Sequence, residues 1–310
     1  MTQELETVIM TAVETHVEQA VALLTELVNI PSVVPLGSES AGDGERRVQE
    51  VLERELRALG AEVDLWEPDV AELAAAYRGK PGFQPNRQFE NRPNLVARLP
   101  GDGTGRSIML AGHIDVVAAD SADWHSEPFD ARIVDGRLVG RGTADMKAGV
   151  VASWLALKAL KEAGVQLAGD VLFVSVVDEE VGGMGTLAVT HRGYRADAGV
   201  MTEPTGLTLC PVVRGIIWGH IDVPGRAGHI EEPFDAANPE APIDAIDKAR
   251  IVLGAIDKIN ASWRNDPRKS HPLIEIPNQV SVSMIHAGDH PSSFAATCRI
   301  TFDIQYLTSE

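Results

Sequence analysis

Apolar residues recur at helical spacing across residues 4–28, and the prolines of PSVVP then stop the run, which predicts an amphipathic first helix. GDGERRVQEVLERELRALG (42–60) repeats that period and closes on Gly60 as a second helix. The pattern then switches to alternation in AEVDLW (61–66), a strand. Residues 67–93 mix Pro, Gly, Asn and Arg and read as a long surface loop. NLVARL (94–99) and SIMLAGHIDVV (107–117) are apolar strands, the second too continuous to be half-exposed and therefore placed mid-sheet. ARIVDGRLVGRG (131–142) predicts a hairpin turning at Asp135-Gly136. A strong helix, DMKAGVVASWLALKALKEAG (145–164), leads to the strand DVLFVSVV (170–177). A short helix around 184–193 and a strand end, AGVMTEP (198–204), follow.

Strands alternating with helices predict an α/β fold, a central mixed sheet sandwiched by helices. From about Pro211 the texture changes. IIWGHIDVPGRAGH, a helix over 241–260, QVSVSMIHAG and TCRITFDIQYL give strand–helix–strand–strand, a smaller α+β domain. The expected division is 1–210 and 211–310.

Length supports two bodies, since 310 residues exceed the ceiling of about 250 for one hydrophobic core. No apolar run approaches the roughly 18 residues of a membrane span, and the acidic N-terminus lacks a signal peptide's basic region. Two cysteines, Cys210 and Cys298, make no disulfide framework and have no zinc-finger spacing, so a cytoplasmic protein is expected. The net charge of −18 repels a phosphate backbone and argues against nucleic-acid partners. That acidity either keeps the surface soluble or includes carboxylates neutralised by cations.

Candidate chemistry lies at the C-terminal ends of the expected strands and in the loop entering a helix, the edge where open α/β sheets build sites. In GHID (112–115), Asp115 shares an extended-chain face with His113 and can fix its imidazole. In GRGTADMKAG (140–149), Asp145 opens the helix, where an N-cap is the alternative role. VSVVDEEVGG (174–183) ends a strand on Asp178, Glu179 and Glu180, and MTEPT (201–205) sets Glu203 before a proline. A histidine with several carboxylates and no thiol suits zinc, cobalt or manganese. Two ions sharing a carboxylate about 3.5–4 Å apart is a common hydrolase arrangement.

In this order, GHID, GRGTADMKAG, DEEVGG and EPT resemble the M20 metallopeptidases, the family of acetylornithine deacetylase and succinyl-diaminopimelate desuccinylase. The resemblance implies two divalent ions, most simply Zn2+ with Co2+ or Mn2+ as alternatives. Asp145 would bridge them, His113 and Glu203 would complete one, and Glu180 would belong to the other. It makes Glu179 the general acid/base and Asp115 the group orienting His113. It also makes the 211–310 region an inserted lid and dimerisation domain, whose His229 in GRAGHIEEP would stabilise a substrate oxyanion, often from the partner subunit. The implied reaction is metal-assisted hydrolysis of an amide in an N-acyl amino acid or related small molecule; the alternatives are a dipeptidase or carboxypeptidase on the same site, or an inactive fragment or binding protein of the same fold.

Two departures qualify the resemblance. The family draws a last histidine ligand from a segment following the inserted domain. None of His16, His125, His191, His220, His271, His286 and His290 sits in a matching motif. A C-terminally incomplete chain that binds its second ion weakly is therefore expected. In SSFAATCRITFDIQ (292–305), Ser292, Ala295 and Gln305 stand where many members carry asparagine, proline and arginine. Gln305 removes a bidentate partner for a substrate carboxylate. The two arginines in 81–93, Arg87 and Arg92, could contribute to holding the substrate, but a solvated loop is expected, as a solvated role is for Asp178.

Overall fold

A computed structural model describes residues 3–37, 42–232, 237–274 and 278–307. It divides into two compact units, Met1–Leu207 and Thr208–Glu310. Within the first, α1 (Gln3–Val28) and α2 (Gly44–Ala58) precede β1 (Glu62–Trp66), α3 (Val70–Tyr77), β2 (Asn94–Leu99) and β3 (Ile108–His113). The hairpin β4 (Arg132–Val134) and β5 (Arg137–Val139) leads to α4 (Ala148–Glu162), β6 (Val171–Val176), α5 (Met184–His191) and β7 (Ala198–Met201).

The main sheet runs β1-β2-β6-β3-β7, with β3 parallel to both β6 and β7 and the β1–β2 and β2–β6 pairs antiparallel, a mixed sheet as the pattern implied. β6 is buried along its whole length, and its pleat divides its side chains between two cores. Val171 and Phe173 join Leu27, Leu52, Leu56 and Trp154 from α1, α2 and α4. Leu172, Val174 and Val176 join Val189 of α5. Each such fully buried side chain contributes roughly 1.5–3 kcal/mol by leaving water.

Three local differences from the sequence expectation have physical causes. The supposed loop 67–93 contains α3, because Asp69 accepts the backbone N–H groups of Ala71 and Glu72 (2.8 and 3.1 Å) and Leu73 is buried. The strand expected to reach residue 117 leaves the sheet at His113, and Val116 bridges to Val33 instead. The expected helix from Asp145 begins at Ala148, since Asp145 and Met146 have non-helical backbone angles.

The second unit contains β8 (Gly215–Pro224), α6 (Ala245–Arg264), β9 (Gln279–Ala287) and β10 (Thr297–Tyr306). Its antiparallel sheet runs β8-β10-β9, and Val223, Cys298 and Ile300 pack against Ala245 and Ala249 of α6. The helix expected from 241 starts at Ala245, where Asp244 accepts the N–H of Ile246 at 2.9 Å as N-cap. Among the described residues no helix is long and apolar enough to cross a membrane.

Candidate metal centre

Parallel pairing of β3 with β6 and β7 brings three strand ends to one edge of the sheet. His113 is the last residue of β3, Glu179 and Glu180 follow β6, and Glu203 follows β7. Asp145 reaches the same edge from the irregular turn before α4. Two close approaches hold that turn. Gly149 lies against Thr202, where an added Cβ would stand 2.2 Å from the Thr202 carbonyl oxygen. The buried Lys147 Nζ donates to the carbonyls of Leu27 and Ile30 (2.8 and 3.1 Å), tying the turn to the end of α1.

His113 is buried, and its Nε2 lies 3.1 Å from Asp145 Oδ1, 3.8 Å from Glu179 Oε2 and 3.7 Å from Glu203 Oε1. Ligand atoms of His113, Asp145 and Glu180 fall within 4.8 Å of one another, as do those of His113, Glu179 and Glu203. These groupings divide the acids differently from the expected assignment, yet the same five residues take part. Asp115 contributes from behind. Its backbone carbonyl accepts from His113 Nδ1 at 2.9 Å, and its Oδ2 accepts the backbone N–H of Glu180 at 3.1 Å. The expected carboxylate contact to the imidazole is looser, with Oδ1 at 3.5 Å from Nδ1.

So many acids around one imidazole distort every titration. Burial disfavours the His113 cation, but hydrogen bonding and charge from Asp115, Asp145 and Glu179 outweigh it and push the ring up to about 11. Burial, reinforced by Asp145, raises Glu180 to about 7. Burial also raises Glu203 to about 6, with Glu179 and Asp145 adding to it, and raises Glu179. Asp145 is lowered by its hydrogen bond from His113.

These residues fit a divalent cation. One imidazole and several carboxylate oxygens form a hard-to-borderline donor set with no thiolate. The Asp115 carbonyl fixes Nδ1 as a donor, which turns Nε2 towards the acids. Asp115 Oδ1, also buried, makes no hydrogen bond and stands 3.5 Å behind the ring at Nδ1.

The solvated role expected for Asp178, Arg87 and Arg92 is corrected, because all three are buried and paired. Asp178 Oδ1 accepts from Arg87 Nε at 3.0 Å, Arg87 Nη2 at 2.5 Å and Arg92 Nη2 at 2.9 Å. Arg92 also pairs through Nε with the buried Glu45 of α2. Only the Asp-Glu-Glu run was legible in the sequence; a loop without periodicity carries no mark of which arginines turn inward.

His229 lies in the second unit on the loop after β8, exposed, with its N–H donating to Glu232 Oε1 at 3.2 Å. Its neighbour Ser293 bridges to it. Ala295 is buried there, and Gln305 of β10 carries a buried Oε1 without a hydrogen-bond partner.

A family model described as "Peptidase family M20/M25/M40" matches residues 109–303. The chain is 31% identical over 308 residues to an N-formyl-4-amino-5-aminomethyl-2-methylpyrimidine deformylase of Halalkalibacterium halodurans, covering 96% of this chain and 65% of that relative. It is 33% identical over 222 residues to a succinyl-diaminopimelate desuccinylase of Methylobacterium radiotolerans, covering 68% of this chain and 50% of the relative. The chain thus spans just under two thirds of the first relative's length and half of the second's. Its fold is similar to that of human carnosine dipeptidase 1, with a TM-score of 0.70 and 20% identity over 99% of this chain and 73% of that one. With the match running from β3 into β10, and with the acids gathered at His113 where β3 ends, the chain belongs to peptidase family M20/M25/M40.

Proposed function

We propose that the protein is a cytoplasmic, divalent-metal-dependent hydrolase that cleaves the amide bond of a small N-acyl compound. The observation carrying this reading is the cluster of Asp145, Glu179 and Glu203 oxygens within 3.8 Å of the buried His113 Nε2. His113, Asp145, Glu180 and Glu203 would hold two ions, most simply Zn2+, with Asp145 shared. When bound, the cations supply Lewis-acid chemistry, acidifying water and polarising an acyl oxygen.

The chain's own groups do the rest. Asp115 holds His113 by its carbonyl and the Glu180 backbone by its carboxylate, so one residue orients two ligands. Glu179 takes a proton from the attacking water and delivers it to the departing amine. Its burial favours that exchange, because desolvation raises the carboxyl and strengthens it as a proton acceptor. His229 donates to the developing oxyanion. A homodimer through the second unit belongs to this reading, supported by the exposed Ile216, Ile217 and Trp218 of β8.

Within the N-acyl class, two observations favour a substrate without a free carboxylate over an N-acyl amino acid. The match to the deformylase runs over 308 residues, against 222 for the desuccinylase. Gln305 offers no charge to a carboxylate where many members of the family carry arginine. The test is hydrolysis of N-formyl aminomethylpyrimidine, N-acetyl and N-succinyl amino acids, and dipeptides, with Zn2+ or Co2+ added. The formamide should turn over fastest, and Glu179→Gln should lose about a thousandfold in turnover while keeping its metal. Undiminished turnover in that variant would remove Glu179 from its role.

A further inference from the structure

Beneath the acids lies a buried charge network that the proposed reaction does not use. Asp178 directly precedes Glu179 and Glu180, and its backbone is left-handed at φ +69°, a conformation a non-glycine residue keeps only where its surroundings hold it. One carboxylate oxygen of Asp178 takes all three N–H groups from Arg87 and Arg92, while Arg92 is anchored on Glu45. The loop supplying the arginines also grips the far side of the turn. Gln84 Nε2 donates to the Val181 carbonyl at 2.8 Å, and the Gln84 N–H meets Met184 Sδ at 3.3 Å. Arg87 Nη1 reaches the carbonyl of Gly37 at 3.4 Å, and Asp115 accepts the Glu180 N–H from the opposite side. The turn is thus held at Asp178, Glu180 and Val181.

We propose that Arg87, with Arg92, is a positioning residue: their guanidiniums clamp the Asp178 carboxylate and so fix the turn that presents Glu179 and Glu180. This role rests on the metal-centre reading above. Two guanidiniums face the carboxyls of Asp178 and Glu45, so donors and acceptors are matched in pairs and four ionisable side chains remain buried together. Neither arginine is a ligand, since both bond to the residue behind the acids. A guanidinium serves where an ammonium would not, because its planar fork places two parallel N–H groups on one oxygen.

The test titrates Co2+ into the full chain, following its visible absorption, alongside thermal unfolding. Arg87→Met should weaken Co2+ binding by about tenfold or more and change the absorption band shape. Arg87→Lys, which keeps charge but loses the fork, should recover only part of the affinity. The double variant Arg87→Met/Asp178→Asn removes both partners, so no buried charge is stranded; it should regain thermal stability without regaining affinity or band shape. Wild-type affinity and spectrum in Arg87→Met would overturn the role. So would their return together with stability in the double variant, since the first loss would then be one of folding alone. A wild-type chain that binds no Co2+ would fail the metal-centre reading itself and this role with it, before any variant is compared.

Discussion

Asp115 holds two of the proposed ligands from a position with no solvent access, its carbonyl on His113 and its Oδ2 on the Glu180 N–H. The same crowding sets the pH response of the metal-free chain. Glu180 and Glu203, raised to about 7 and about 6, bind protons more tightly folded than unfolded. Stability from them is therefore full below the unfolded value of about 4.5 and lost as pH rises through 6 to 7. His113, raised to about 11, has the same sign, with loss beginning above its unfolded value near 6.5. Chelator-treated protein should thus melt lower at about pH 8 than at about pH 5.5, and saturating Co2+ should raise the midpoint most at the higher pH. A midpoint that rises with pH under chelator would contradict this. His113, Asp145, Glu179, Glu180 and Glu203 were legible because each lies in a short motif at or just after a strand end, or in the turn leading into α4. Arg87 and Arg92 were not, because inward orientation in an aperiodic loop depends on a partner, Asp178, about ninety residues away.

Elements converge on the site through close backbone contact, and α4 shows how little room they leave. Gly149, in its first turn, packs so tightly on the segment after β7 that a methyl group would also stand 2.7 Å from Thr202 Oγ1. Gly149→Ala should cost about 1–3 kcal/mol by overpacking and, by shifting residues 202–203, weaken Co2+ binding as well. Denaturant unfolding and the Co2+ titration measure the two effects; unchanged affinity at reduced stability would free Glu203 from that contact. The sequence pattern located α1, α2, α4 and β6 because long amphipathic or fully apolar runs dominate local alternatives. It passed over α3, whose eight residues are marked mainly by the Asp69 cap. It also overran β3, because the apolar Ile114 and Val116 continue the pattern while the backbone at Val116 has left β6 to pair with Ser32 and Val34.

Across the whole molecule, the proposed ligands His113, Asp145, Glu180 and Glu203 and the proposed base Glu179 belong to the unit Met1–Leu207, which has its own core. The unit Thr208–Glu310 has a smaller one, built on Val223, Ala245 and Ile300. A bound cation therefore stabilises the first unit directly, by about 2.7 kcal/mol at a hundred times its dissociation constant. Hydrogen exchange resolved by peptide should show β3, β6 and α4 slowed by Co2+ while β8–β10 change little. Equal slowing in both units would mean that the cation is not held by the first alone. The change of texture near Pro211 was visible in the sequence because each unit closes its own hydrophobic pattern.

The proposal stands or falls on whether His113 and the four acids gathered about its Nε2 form a divalent-metal site. Anomalous diffraction at the zinc edge, from crystals of the full chain grown with Zn2+, tests it most directly. The account predicts peak density among His113 Nε2, Asp145, Glu180 and Glu203, with Glu179 beside it. Density confined to other residues, or none at this cluster with Zn2+ in excess, would contradict it.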